Sequence, residues 1–155
     1  DTLKVQPNQI EERLGRLLAQ LKQAEKTIAE MKAGQLSAIA ADLMTRGVDR
    51  GATRFIAAVD PGVGLDLRGL ATDLRARLGS TAGVVCLVAT SPKPSVVIAT
   101  TQAARDSGLK AGQLVGLAAA AMGGRGGGSA DLAQGGGTDP SGAQAALDAV
   151  AEAIG

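Results

Sequence analysis

From Ile10 onward the apolar residues fall at Ile10, Leu14, Leu17, Leu21, Ala24, Ile28 and Met31, in alternating steps of four and three. Such spacing keeps one stripe of a helix apolar and predicts a long helix with a coiled-coil-like seam. Between those positions stand Glu11, Glu12, Arg13, Arg16, Lys22, Glu25, Lys26 and Glu30, a solvated face of mixed sign with Glu12 and Arg16 as an i,i+4 pair. Asn8, after Pro7, is the expected N-cap. Past Met31 the stripe moves to Leu36, Ile39, Ala40 and Leu43, with Gly34 at the change of register. There the seam is expected to break or to change partner. Ile10, Leu14, Leu17, Leu21, Ile28 and Met31 extend beyond what a small domain covers, so they are the candidate dimerisation residues.

Further along, the period changes. Thr53 to Val59 reads as a strand closed by the turn residues Asp60, Pro61 and Gly62. Leu67, Leu70, Ala71, Leu74 and Leu78 then mark one face of a helix with Arg68, Arg75 and Arg77 outside it, ending at Gly79. Val84 to Ala89 is a continuous apolar run rich in β-branched residues, hence an interior strand, and Ser91 to Pro94 turns the chain into another strand, Ser95 to Thr100. Gln102 to Ser107 is a helical turn, the alanine-rich stretch from Ala111 to Met122 a closely packed helix, and Gly142 to Ile154 a final helix. The expected fold is α/β: a long N-terminal helix, then a small α/β domain with a mixed sheet and a glycine-rich loop. Residues 1–47 form the helical, dimerising segment and 48–155 the globular domain.

Eight of the 22 glycines lie between Gly123 and Gly137, in the segment GGRGGGSADLAQGGG. Glycine removes the Cβ that keeps another molecule from backbone amides, and exposed amides in turns attract phosphate. The segment reads as a ligand-facing loop, with Arg125 as its one charged contact. It is not a nucleotide P-loop, because no GK[ST] follows and a helix precedes it. On this reading alone it serves either phosphate or tight backbone packing.

Composition narrows the ligand. The chain has no Trp or Tyr and a single Phe, Phe55, so a nucleic acid could not be held by base stacking on rings and would be met through its backbone and shape. Net charge is +1 over 155 residues, which gives no strong polyanion footprint. Its distribution is uneven: residues 101–128 carry Arg105, Lys110 and Arg125 against Asp106 alone, and residues 129–155 carry only acids. A single cysteine, Cys86, lies within an apolar run and fits a buried strand position in a reducing, cytoplasmic setting. No stretch is long and apolar enough to span a membrane, so none is expected as a partner. The chain starts at Asp1 in mid-sequence character and reads as a piece of something larger.

The glycine segment resembles the signature of the C-terminal domain of alanyl-tRNA synthetases, a domain shared with DHH-superfamily phosphoesterases. Gly123, Gly124, Gly126, Gly127, Gly128, Ala133, Gln134, Gly135, Gly136 and Gly137 match it, while Ser129 and Ala130 replace the usual Arg and Pro and remove a positive charge. LKVQPNQIEERL and LKQAEKTIAEMKAGQL look like the helix that precedes this domain in the family, and GLKAGQLVGLAAAAMGG like the helix entering the signature. The resemblance implies a non-catalytic module of an alanine–tRNA ligase that binds alanine-specific tRNA at its outer corner and dimerises. It implies ATP, Mg and Zn in other domains of the parent only. Without any His, and with Cys86 alone, this chain has neither a Cys-and-His zinc site nor a phosphoesterase metal centre. The candidate RNA contacts are Arg105, Lys110, Arg125, Gln134 and the glycines Gly123, Gly124, Gly126, Gly127, Gly128, Gly135, Gly136 and Gly137. Two other readings stand beside this one: a purely structural oligomerisation module, and the terminal domain of a DHH phosphoesterase.

Overall fold

A helix of 39 residues, α1 (Pro7–Thr45), opens the computed structural model, which describes residues 7–62 and 65–155. The side chain of Asn8, the expected cap, lies outside the described residues. Gly34 does not interrupt the helix, which continues through it. One interior glycine costs about 1 kcal/mol and leaves the hydrogen-bond ladder intact. What changes near Gly34 is burial. Contacts divide the chain into two units, Asp1–Leu36 and Ser37–Gly155. In the first, the stripe is open to solvent, from Ile10 at 48% to Met31 at 69% exposed; in the second, Ala40 and Leu43 are buried.

Six strands form one mixed sheet in the second unit, ordered β1-β2-β3-β4-β6-β5. They are β1 (Val48–Arg50), β2 (Thr53–Val59), β3 (Gly83–Ala89), β4 (Ser95–Thr100), β5 (Arg125–Gly128) and β6 (Leu132–Gly136). Only β2 and β3 run parallel, joined across α2 (Leu67–Leu78) as the apolar runs predicted. The strand β1 was not foreseen. Its three residues are mostly exposed and carry no alternation, and Gly51 at φ 64° makes the turn that folds it onto β2.

Alternation along the strands sorts the core into two layers. Phe55, Val84, Cys86, Val88, Val96, Ile98 and Ala133 pack against α3 (Gln102–Asp106), α4 (Ala111–Ala121) and α5 (Ala143–Ile154). Ile56, Val85, Leu87, Val97 and Ala99 point to the other side, where α2 covers β3 and β4 with Leu70, Ala71, Leu74 and Leu78. Cys86 is fully buried, and burial alone pushes its thiol up to about 12.

The carboxyl ends of the parallel pair are tied by Asp60, which sits at φ 47°. The Thr90 amide donates to its Oδ1 at 2.8 Å and the Thr90 hydroxyl to its Oδ2 at 2.6 Å. These bonds, the hydroxyl's first, hold the Asp60 carboxyl below its ordinary range. A depressed native value means the stabilisation is complete above the unfolded carboxylate value, near 3.8, and is lost as pH falls through the native one. Asp60→Asn, which tolerates the same backbone region, should cost about 1 kcal/mol at pH 7. Urea titrations at pH 7 and at progressively lower pH should find that cost shrinking as pH falls below the ordinary carboxylate value and through the lowered native one.

Candidate nucleic-acid interface

The glycine segment is not a loop. Gly126, Gly127 and Gly128 lie in β5, and Gly135 and Gly136 in β6, so the segment is an antiparallel hairpin that extends the sheet from β4. Its glycines answer to backbone packing. A Cβ on Gly124 would overlap the carbonyl oxygen of Gly136, and one on Gly137 the carbonyl of Met122. On Gly128 it would come within 2.6 Å of the Ala133 Cα, and on Gly126 within 3.2 Å of the Val115 methyls. The alanine-rich α4 lies directly on these strands, with Ala111, Ala118 and Ala119 fully buried. Small residues on both elements let the two backbones come this close.

That packing consumes several amides expected to face an anion. Gly123 and Gly124 donate to Ala120 and Ala119, at 3.1 and 2.8 Å, and Gly137 donates to Pro94 at 3.1 Å. The leading amides of α4 are also spent, Ala111 on the Ala130 carbonyl (2.9 Å) and Gly112 on that of Ser129 (3.1 Å). No closed phosphate cradle remains at those positions. What is left open is the outer edge of β5, a strand with a partner on one side only.

The pairing register puts Arg125, Gly127, Leu132, Gln134 and Gly136 on the side of the sheet that α2 covers only over β3 and β4. The sheet is bare there, and nothing lies within 4 Å of where a Gly127 Cβ would be. A shallow cleft of about 330 Å³ on this face is lined by Arg68, Gly127, Gly128, Ser129, Leu132, Ala133 and Gln134. Arg68, from the first turn of α2, borders it, and the sequence marked this residue only as part of a solvated helix face. Its signal is the bare strands beside it, which only the strand order reveals.

The predicted cations separate in role. Arg125, Lys110 and Arg68 are exposed and take part in none of the ion pairs of the described residues. Arg105 is half-buried and committed: its Nη1 donates to the Thr100 carbonyl and its Nη2 to Gln102 Oε1, both at 2.8 Å. It braces the start of α3 and is less free to meet a ligand than its charge suggested. Arg75 is likewise engaged, donating to the Asp131 carbonyl at 3.1 Å and to its Oδ2 at 3.3 Å. The Ser129 hydroxyl first, then Asp131's own backbone amide and, after it, the charges of Arg75 and Arg105, hold the Asp131 carboxyl below its usual range against the opposing effect of burial. Ser129 thus serves the hairpin turn. Lys110 and Arg125 are not brought into one pocket. They stand at opposite ends of α4, whose 11 residues span roughly 16 Å. Two cations so far apart suit an extended polyanion better than a single phosphate.

Among the described residues no group of His, Cys, Asp or Glu could hold a metal ion, and no helix is long and apolar enough to cross a membrane.

Residues 52–155 match the DHHA1 domain. The alanine–tRNA ligase of Cutibacterium acnes is 44% identical over 150 residues, 96% of this chain and 17% of that protein. The ligase of Leifsonia xyli subsp. xyli is 46% identical over 158 residues, 99% of this chain and 18% of that protein. The chain therefore spans less than a fifth of the length of these relatives. Among solved structures, the C-Ala domain of Aquifex aeolicus alanyl-tRNA synthetase superposes with a TM-score of 0.62 at 28% identity, covering 70% of this chain and 96% of that one. RecJ from Thermus thermophilus, at 16% identity and a TM-score of 0.57 over 81% of this chain and 17% of its own, shares the fold. With its glycine hairpin, alanine-rich helix and mixed sheet inside the matched span, this chain belongs to the DHHA1 domain family.

Proposed function

We propose that this chain is the tRNA-binding and dimerising C-terminal module of an alanine–tRNA ligase, with no catalytic constellation of its own. It holds alanine-specific tRNA while other domains of the ligase, with their ATP, Mg and Zn, carry out aminoacylation and editing in the cytoplasm. The observation that carries the reading is the bare face and edge of the β5–β6 hairpin, where Arg68 borders the cleft and Arg125 lies on the same side of β5, with Lys110 exposed at the start of α4 on the opposite side of the sheet, none of the three in an ion pair among the described residues. Likeness to ligases over nearly the whole chain supports it. The absence of Trp and Tyr directs the contact to the phosphate backbone, with Gln134 and the open edge of β5 as neutral partners. The dimer part rests on the exposed stripe Ile10, Leu14, Leu17, Leu21, Ile28 and Met31.

A second reading, a structural oligomerisation module without RNA contact, draws on the net charge of +1 and on glycines committed to packing. Gel-shift with alanine-specific tRNA, run beside analytical ultracentrifugation of the same chain, separates the two. The proposal expects both a shifted complex and self-association. A dimer that shifts no tRNA at low salt selects the second reading. A phosphoesterase setting draws on fold shared with proteins such as RecJ, and the heptad helix speaks against it.

A further inference from the structure

The seam of α1 has a direction written into it. With Leu14, Leu21 and Ile28 at a positions and Ile10, Leu17, Ala24 and Met31 at d, the flanking e positions are Glu11, Leu18, Glu25 and Lys32, and the g positions Arg13, Gln20 and Thr27. Two copies in parallel would stack Ala24 on Ala24, leaving a thin layer in the middle of the seam. Their g-to-e' neighbours would be Arg13 with Leu18, Gln20 with Glu25 and Thr27 with Lys32, and none of these is an opposite-charge pair.

Reversing one helix changes the matching, because a then meets d', e meets e' and g meets g'. In one register Leu14 faces Met31, Leu17 faces Ile28 and Leu21 faces Ala24, so every large side chain of these layers meets a partner and the small Ala24 is filled by a leucine. The same register sets Glu11 against Lys32 twice, once at each end, and puts Glu25 beside Leu18. Sliding by one heptad in either direction brings Glu11 onto Glu25 or Glu25 onto its own copy, which is repulsive. All of the large stripe residues are about half exposed or more, and Leu18 at 59% widens the apolar surface at an e position.

We infer that a second copy of this chain docks on the α1 stripe in antiparallel fashion, in the register that pairs Leu21 with Ala24 and Glu11 with Lys32. The inference rests on the dimer reading and adds its orientation.

Disulfide trapping in the full chain tests it. Cys86 is buried with its thiol held protonated and stays out of the reaction. In the antiparallel register the two copies of position 14 lie roughly 25 Å apart along the axis, too far for a disulfide. Leu14→Cys should therefore not crosslink to itself, whereas Leu14→Cys with Met31→Cys should give dimers whose linked peptides join 14 to 31. Charge reversal provides a second readout. Glu11→Lys or Lys32→Glu should each raise the dimer Kd about five- to tenfold, and the two together should restore it to within about twofold. A self-crosslinked Leu14→Cys dimer overturns the orientation and leaves the dimer reading standing. A full chain that stays monomeric at every concentration overturns both, and the stripe then belongs to a different partner.

Discussion

Gly124→Ala should destabilise the globular unit by about 3 kcal/mol or more, a large part of the stability of a domain this size. The added methyl has nowhere to go: it would overlap the Gly136 carbonyl and press on the Gly137 Cα, and both are backbone atoms. A flexible side chain could swing aside, but a backbone held between α4 and β4 moves only if the hairpin comes off the helix. Gly127→Ala is the matched control. It lies three residues further on, in β5, with open space over it, so its stability should shift by no more than about 0.5 kcal/mol. Equal effects from the two substitutions would mean that close packing does not explain the glycines.

Replacing Leu17 and Leu21 together with lysine should abolish self-association. Each leucine buried in a seam contributes about 1.5–3 kcal/mol, and a dimer loses two from each chain. Kd then rises by more than about a thousandfold, at roughly 1.4 kcal/mol per decade. Both residues are exposed in the single chain, so the variant should keep its helix content and its globular unit. Lys22→Ala, on the solvated face of the same helix, should leave the sedimentation profile unchanged. A double variant that still sediments as a dimer would move the interface off α1.

Elements whose burial left a periodic trace in side chains were legible in the sequence. Thr53–Val59 and Ser95–Thr100 occur as strands at the residues read from their apolar runs, and α2 runs from Leu67 to Leu78 with Gly79 at its end. Where side chains leave no such trace, the reading failed. The strands β5 and β6 are built largely of glycine, which shows no alternation, so a paired hairpin looked like a loop. The three residues of β1 were too few and too exposed to register. In the candidate site, Arg125 and Lys110 were found by charge alone and are exposed. Charge could not show that Arg105 spends its guanidinium on Thr100 and Gln102, nor that Arg68 lies beside the bare strands. The first depends on the local geometry of the β4–α3 junction, and the second on which strands become neighbours.

The central claim, that the hairpin face and edge grip an RNA backbone, is tested most directly by the affinity of the chain for alanine-specific tRNA across a salt series. Wild type should bind at low salt and weaken linearly in log Kd against log salt, with a slope of about 0.7–0.9 per phosphate contacted. Arg68→Ala, Lys110→Ala and Arg125→Ala should each weaken binding and reduce that slope by about one. Wild-type affinity and slope in all three variants would contradict the account.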